Sequence, residues 1–166
     1  MFKVLRCILL VSFLSSCKNY YPLYKDTSKY KGFFQTLAIT TDKNKSSLNI
    51  KKNLQNMLPQ LSVIKYILFL ETNTSTSSTV SNIDGKISGY EIETSVNGKL
   101  YKRVDYDILE YSFEEKAYAP YYLTSNEVLS TLSNRNKAIV LNTKNLSKKI
   151  YYNLMLYLSR EKNYDN

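Results

Sequence analysis

The residue whose type and position best suit covalent chemistry is Cys17. It ends the run Leu14-Ser15-Ser16-Cys17, which closes an apolar stretch that begins at Ile8 and follows two cations, Lys3 and Arg6. A basic start, a short apolar run and small residues before a cleavage point form the pattern of a secretory signal peptide. The alternative is an ordinary N-terminal helix that carries a cysteine by chance.

Leu14-Ser15-Ser16-Cys17 resembles the lipobox of bacterial lipoproteins. The resemblance implies that a diacylglycerol is attached to the Cys17 thiol, that the chain is cut before Cys17, and that the new amino group is acylated. More than one acyl chain gives stable anchoring, because each buried CH2 contributes about 0.8 kcal/mol. The apolar run itself is too short to cross a bilayer, which takes about 20 residues. We therefore expect the lipid on Cys17 to be the membrane attachment.

The domain organisation follows from this cleavage point. We expect residues 1–16 to be a lipoprotein signal peptide that is removed, residues 17–32 a lipidated tether, and residues 33–166 a single α+β domain. The mature chain would keep 150 of the 166 residues, the size of one domain. Cys7 leaves with the signal peptide and Cys17 carries lipid, so no disulfide is expected.

The chain is basic, with a formal net charge of +9. Loss of the two cations Lys3 and Arg6 leaves +7 on the mature chain. Such a charge favours an anionic partner, which could be nucleic acid, phospholipid headgroups or a phosphorylated glycolipid. An exported lipoprotein rarely meets nucleic acid, so we expect lipid and no nucleic acid. The alternative is a Lys- and Asn-rich composition inherited from the genome, without functional meaning.

The composition also excludes several kinds of chemistry. The chain has no histidine, which excludes histidine acid–base catalysis and histidine metal sites, and the mature chain would have no free thiol. Its four glycines form no phosphate-binding loop. The close acid pairs are Asp105/Asp107, expected on the wet face of a strand, and Glu114/Glu115. We expect no enzyme activity, no metal and no cofactor.

The first half of the domain shows a strand, a helix and a strand. Residues 33–41 are predicted as a strand, with Leu37 and Ile39 toward the core. A helix capped by Ser46 or Ser47 follows and should end near Pro59. A second strand, residues 63–72, is apolar on both faces and is expected to be covered. The Ser/Thr-rich residues 73–82 fit either a linker or an exposed ribbon. The predicted buried stripe of the helix is Ile50, Leu54, Met57, Leu58 and Leu61.

The second half predicts an antiparallel meander followed by helix. Asp84-Gly85 and Asn97-Gly98 are two-residue turn signals that join three alternating segments. Residues 112–123 are expected to cross over, and residues 124–127 fit a capping box. One helix over residues 125–162 would be about 57 Å long, too long for this domain, so we expect a break near residues 134–136. The predicted buried stripe is Ile139, Thr143, Leu146, Ile150, Leu154 and Tyr157.

These elements follow the order β-α-β-β-β-α. They predict an α+β fold in which a four-stranded, mixed and mostly antiparallel sheet carries helices on one face. The crossover through the first helix should make the first two strands parallel.

The chain resembles the LPS-assembly lipoprotein family, LptE, of Gram-negative outer membranes. The resemblance rests on the lipobox followed by Tyr21-Pro22-Leu23-Tyr24, with Pro22, Leu23 and Tyr24 as the motif, and on the order of the elements. It includes the helix segment at residues 53–58, a hairpin with Gly85 at its tip, and a last helix with Ile150, Leu154, Tyr157 and Leu158. Lys18 after the lipidated cysteine, in place of Asp, favours the outer membrane under the family's sorting rule.

The resemblance implies a structural role rather than a catalytic one. Family members plug a β-barrel translocon (an LptD-like partner), assist its assembly and pass lipopolysaccharide to the outer leaflet. The chain would then be lipid-anchored at the periplasmic face of the outer membrane. Lys86 at the hairpin tip is our candidate glycolipid contact, with Arg103 and Lys102 as weaker candidates; each is alternatively a solvated surface cation.

A second function stays open, that of an auxiliary lipoprotein of an envelope ABC-type lipid-transport system that binds phospholipid. Such a carrier needs an apolar cavity, whereas a plug needs a filled core.

Overall fold

The structure is a computed structural model that describes residues 30–80, 87–123 and 128–161. Seven elements follow one another along these ranges. They are α1 (Lys31–Phe34), β1 (Leu37–Thr41), α2 (Lys45–Met57), β2 (Tyr66–Val80), β3 (Ile87–Arg103), β4 (Asp107–Tyr122) and α3 (Val128–Glu161). No helix within these ranges combines the length and apolarity needed to cross a bilayer.

The four strands form one sheet in the order β1-β2-β3-β4. β1 pairs with β2 in parallel, with Leu37 opposite Tyr66, and α2 makes the crossover between them. β2–β3 and β3–β4 are antiparallel. α2 and α3 pack on each other and on one face of the sheet. The predicted fold class is therefore confirmed.

The core lies between the helices and the sheet in two apolar clusters. The larger one joins Leu68 and Leu100 of the sheet to Ile150 and Leu154 of α3, all with almost no exposed surface. The smaller one consists of Ile92, Ala119, Tyr121 and Ala138. Thr94 on β3 and Asn142 on α3 are fully buried between the two clusters.

The predicted turn at Asn97-Gly98 is wrong, because β3 runs unbroken through it to Arg103. The turn lies at residues 104–106 instead, so Asp105 stands in a turn and not on the wet face of a strand. Gly98 serves close packing rather than turning: the ring of Phe113 on β4 occupies the space that a Cβ would take. Glycine inside a strand commonly marks such a close approach.

Residues 112–123 do not cross over; most of them belong to β4, which pairs with β3 from Asp107 to Tyr122. The Ser/Thr-rich stretch is strand as well, since β2 extends to Val80, so the ribbon alternative is confirmed. The Asp84-Gly85 turn and the capping box at residues 124–127 fall outside the described residues.

α3 is continuous over 34 residues, and the predicted break near residues 134–136 is wrong. The prediction assumed a compact domain, whereas strands of 15–17 residues extend for about 50 Å at 3.3 Å per residue. A helix of 34 residues is about 51 Å long and lies along such a sheet. Within its predicted stripe Thr143, Leu146, Ile150 and Leu154 are buried, while Ile139 and Tyr157 are half-buried.

The first strand starts later than predicted, because Phe33 and Phe34 belong to α1; Leu37 and Ile39 are buried as expected. Asn44, rather than a serine, caps α2: its Oδ1 accepts from the Ser46 amide at 3.0 Å. Ser46 and Ser47 instead face β2, where the Ser47 and Thr72 hydroxyls lie 2.8 Å apart.

Two members of the predicted α2 stripe are exposed. α2 ends at Met57, two residues before Pro59, so Leu61 lies outside the helix and is 46% exposed. Met57 is 39% exposed. β2 is covered by helices on one face only, and Ile67 and Phe69 on its other face are half-buried.

Candidate functional site

The sequence-predicted site residues are widely separated. Cys17, the Pro22-Leu23-Tyr24 motif and Lys86 lie outside the described residues. Lys102 and Arg103 end β3, whose first residue, Ile87, is about 50 Å away at the hairpin end of the ribbon. The structure therefore does not bring Lys102 and Arg103 to the hairpin end.

Both of these cations have carboxylate partners. Lys102 Nζ lies 3.8 Å from Glu110 Oε1, and Arg103 Nε donates to Asp107 Oδ1 at 3.2 Å. A phosphate would have to compete with these carboxylates, although exposed pairs of this kind are weak, at about 0–1 kcal/mol. Sequence reasoning missed the pairing because it placed Lys102, Arg103 and Asp107 on one strand, whereas the turn at residues 104–106 puts the acids on β4 beside them.

The sheet face away from the helices, which we call the open face, is polar along most of its length. On it Lys116 Nζ lies 3.3 Å from Glu114 Oε1 and 3.4 Å from Glu93 Oε1. Hydrogen bonds and charge from these carboxylates raise the pKa of Lys116, and the contribution of Glu114 is the larger one. By strand alternation the open face also carries Ser75, Ser77, Glu91, Ser95, Asn97, Lys99 and Ser112.

The adjacent acids Glu114 and Glu115 point to opposite faces of β4. Glu115 faces α3, where its Oε1 accepts from Asn153 Nδ2 at 2.9 Å and its Oε2 lies 3.9 Å from Lys149 Nζ. The pair is therefore not a two-carboxylate site. Among the described residues no three His, Cys, Asp or Glu side chains gather into a possible metal site.

α3 carries a charge pattern that sequence reasoning did not use. From Val128 to Arg160 it contains six cations and no acid. The six are Arg135, Lys137, Lys144, Lys148, Lys149 and Arg160. Its first turns also expose large apolar side chains: Val128 and Leu129 are each 83% exposed. The exposed surface of this helix therefore carries both large apolar side chains and cations.

α2 stops short of these first turns. α2 begins at Lys45 and packs beside the later part of α3, where Ser147 Oγ, which donates to the Thr143 carbonyl, lies 3.4 Å from the Ile50 carbonyl. Val140, Asn136 and Leu129 lie two, three and five turns before Ser147 on the same side of α3, beyond the start of α2. The exposed surface of α3 along this stretch is a shallow, open patch, here called the shelf. It includes Leu129, Leu132, Val140 and Leu141, with Lys137 and Lys144.

Comparison with known proteins gives similarity in fold. No family profile and no curated protein sequence matches the chain. A protein from Caulobacter crescentus CB15, provisionally described as a lipoprotein, superimposes with a TM-score of 0.62 at 12% identity, over 80% of this chain and 97% of that one. Rare lipoprotein B from Shewanella oneidensis gives 0.56 at 13%, over 78% and 98%. Lipoprotein B from Nitrosomonas europaea gives 0.58 at 10%, over 74% and 83%.

At these identities the similarity establishes the fold. The four-stranded sheet with its long helix is an arrangement that this chain shares with solved structures described as lipoproteins.

Proposed function

We propose that this chain is an outer-membrane lipoprotein that plugs a β-barrel lipopolysaccharide translocon, assists its assembly and helps to deliver lipopolysaccharide to the outer leaflet. It is anchored at the periplasmic face through Cys17, and its role is structural rather than catalytic. The lipobox and the shared fold with proteins described as lipoproteins support the anchoring.

The observation that carries the proposal is the length and polarity of the open face. Its three long strands extend for about 50 Å, and along their middle stretch its side chains are mainly serine, asparagine, glutamate and lysine. Outer-membrane barrels have a polar interior behind an apolar band about 25 Å tall. The ribbon is long enough to line such a lumen over its full height, with polar side chains against polar side chains.

The core supports a plug over a carrier. Leu68, Val96 and Leu100 of the sheet and Leu146 and Ile150 of α3 fill the space between the layers without exposed surface. A carrier that encloses a phospholipid would need an apolar cavity of several hundred cubic ångströms there. The shelf is apolar but open to solvent, and it keeps the ABC-type lipid-transport auxiliary as the second candidate.

The first experiment isolates the lipidated protein from its native envelope in mild detergent and identifies what co-purifies. We expect a stoichiometric outer-membrane β-barrel. A component of an ABC-type lipid transporter, with no barrel, would overturn the proposal in favour of the carrier.

Thiol labelling then tests whether the barrel encloses the domain. Ser77→Cys on the open face and Asn145→Cys on the outer side of α3 are both exposed positions. Inside a lumen both thiols should react with a polar maleimide at least tenfold more slowly than in the isolated protein. Protection of the Ser77→Cys thiol alone would indicate that the barrel docks on the open face only. Protection of neither thiol would indicate that the barrel contacts neither face. Either outcome contradicts a plug.

A further inference from the structure

The two long strands that flank β3 differ at their outer edges. On β2 the carbonyls of Leu70 and Thr72 point away from β3, since Leu70 accepts from the Asp42 amide at 3.3 Å and Thr72 from Asn44 Nδ2 at 3.2 Å. Alternate residues of a strand face the same edge. The N–H and C=O groups of Thr74, Thr76 and Ser78 therefore point outward as well.

These six backbone groups follow directly where β1 leaves off. β1 pairs with β2 only from Tyr66 to Leu70, whereas β2 continues to Val80. No hydrogen bond to the outward groups of Thr74, Thr76 or Ser78 comes from any described residue. A register shift between Thr79 and Val80 ends the regular edge.

The outer edge of β4, in contrast to that of β2, is blocked against pairing with a further strand. Lys149 Nζ donates to the outward carbonyl of Lys116 at 2.5 Å. Two and four residues on, at the same edge, come Tyr118 and Pro120, and proline has no N–H to offer. Charged side chains and proline are the usual means of keeping further strands off an exposed edge. β2 has neither from Thr72 to Val80.

The shelf lies on the helix side of this unblocked edge. Ser46 Oγ is 3.5 Å from Thr74 Oγ1, so α2 covers β2 as far as Thr74 and no farther. Side chains of a strand added beside Thr76 and Ser78 would alternate between the open face and the shelf. On the shelf side they would face Val140, Lys137 and Lys144, which lie within about 8 Å along α3 of Asn142, the residue that bonds Ile92 opposite Thr76.

From the open edge and the shelf together, we infer that the segment Thr74–Ser78 takes up an extended segment of a partner polypeptide as a further strand of the sheet. The backbone groups commit the site to a polypeptide, because they recognise main-chain N–H and C=O at strand spacing. The shelf fits a segment with apolar side chains at alternate positions, and the cations of α3, which carries no acid from Val128 to Arg160, fit one that also carries carboxylates. The inference does not require that the partner be a barrel.

Hydrogen exchange on the lipidated protein tests the inference, with and without the partner that it retains in mild detergent. We expect the amides of Thr74, Thr76 and Ser78 to exchange at least tenfold more slowly in the complex. Unchanged exchange would overturn the inference. Protection of these amides in the isolated protein would also overturn the inference. If that protection increases with protein concentration, the edge is occupied by a second copy of the chain. If it does not change with concentration, the edge is occupied by another part of the same chain.

A proline at the edge provides the matched variant. Thr76→Pro removes an outward N–H without removing a bond to β3, a position where edge strands tolerate proline. Tyr118→Pro makes the same change on the blocked edge of β4. Thr76→Pro should lower partner recovery at least tenfold, and Tyr118→Pro should leave it unchanged.

Equal recovery with both proline variants overturns the inference. If the edge is protected by a partner that is not a β-barrel, the inference stands and the proposed function fails. If a β-barrel is retained but the amides of Thr74, Thr76 and Ser78 exchange freely, the proposed function stands and the inference fails.

Discussion

Phe113 on β4 lies across Gly98 on β3 so closely that a methyl group at position 98 would overlap its ring. Gly98→Ala therefore forces the ring or the strand to move. We expect a loss of about 1–3 kcal/mol in the free energy of unfolding, the usual effect of overpacking. Urea denaturation measures it.

Gly32→Ala is the control for this change, because no heavy atom lies within 4 Å of a Cβ there. Phe113→Leu should recover part of the stability of Gly98→Ala by making room. A Gly98→Ala protein as stable as the parent would contradict the packing described here.

Asn142 links α3 to the sheet through a buried hydrogen bond. Its Nδ2 donates to the Ile92 carbonyl at 2.8 Å, and its side chain is fully buried. Asn142→Ala removes this bond and leaves a gap, so we expect a loss of about 1–3 kcal/mol in urea denaturation. Asn145→Ala, on the exposed side of the same helix, should stay within about 0.5 kcal/mol. Equal effects of the two changes would rule out the assigned bond.

Tyr151 makes stability depend on alkaline pH. Burial raises the pKa of this phenol above its ordinary value of 10.0, and Tyr152 adds to the rise. The folded protein thus holds the proton more tightly than the unfolded chain does. Its contribution is complete below about pH 10 and is lost as the pH rises through the folded pKa. Lys116, whose pKa is also raised, acts in the same direction.

Tyr151→Phe should therefore reduce the fall in the urea midpoint between about pH 8 and about pH 11. Phenylalanine keeps the stacking on Phe34, whose ring centroid lies 5.2 Å from that of Tyr151. Tyr118→Phe, which removes a phenol hydroxyl at an exposed position, is the matched control. Identical profiles for Tyr151→Phe and the parent would exclude the buried phenol as a source of the pH dependence.

Charge reversal at Lys86 tests the glycolipid contact proposed from the sequence. If Lys86 binds a phosphate, Lys86→Glu should weaken lipopolysaccharide binding about tenfold, the equivalent of about 1.4 kcal/mol. Lys102→Glu should have a smaller effect, because Lys102 already lies near Glu110. Binding to the detergent-solubilised protein, measured by fluorescence titration, separates the two. Unchanged affinity with Lys86→Glu removes Lys86 from the site.

The alternating pattern of the sequence was enough to predict the sheet. Leu37 and Ile39, and the regular alternation from Tyr90 to Val96, identified strands with the correct inward faces. Local turn chemistry misled at Asn97-Gly98, because pairing with β2 on one side and Phe113 on the other outweighs the preference of that dipeptide. Contacts of this kind join residues distant in sequence, which no local pattern records.

The length of the domain could not be predicted from local sequence patterns either. A break was predicted in α3 because one helix over residues 125–162, about 57 Å long, is too long for a compact domain. The length of β2 depends on Thr74–Ser78 being strand, and a Ser/Thr-rich stretch fits a linker equally well. The ion pairs of Lys102 and Arg103 were missed because they depend on the turn at residues 104–106, and the predicted turn lay at Asn97-Gly98.

The early end of the pairing between β1 and β2 gives the domain a taper. Among the described residues, the cross-section level with Leu70 holds four strands and two helices, whereas the one level with Thr76 holds three strands and one helix. A body that narrows toward one end enters a ring by that end. A partner that encircled this domain would therefore meet the end of β2 at Val80 first and α2 last, so the shape of the described part favours one direction of insertion.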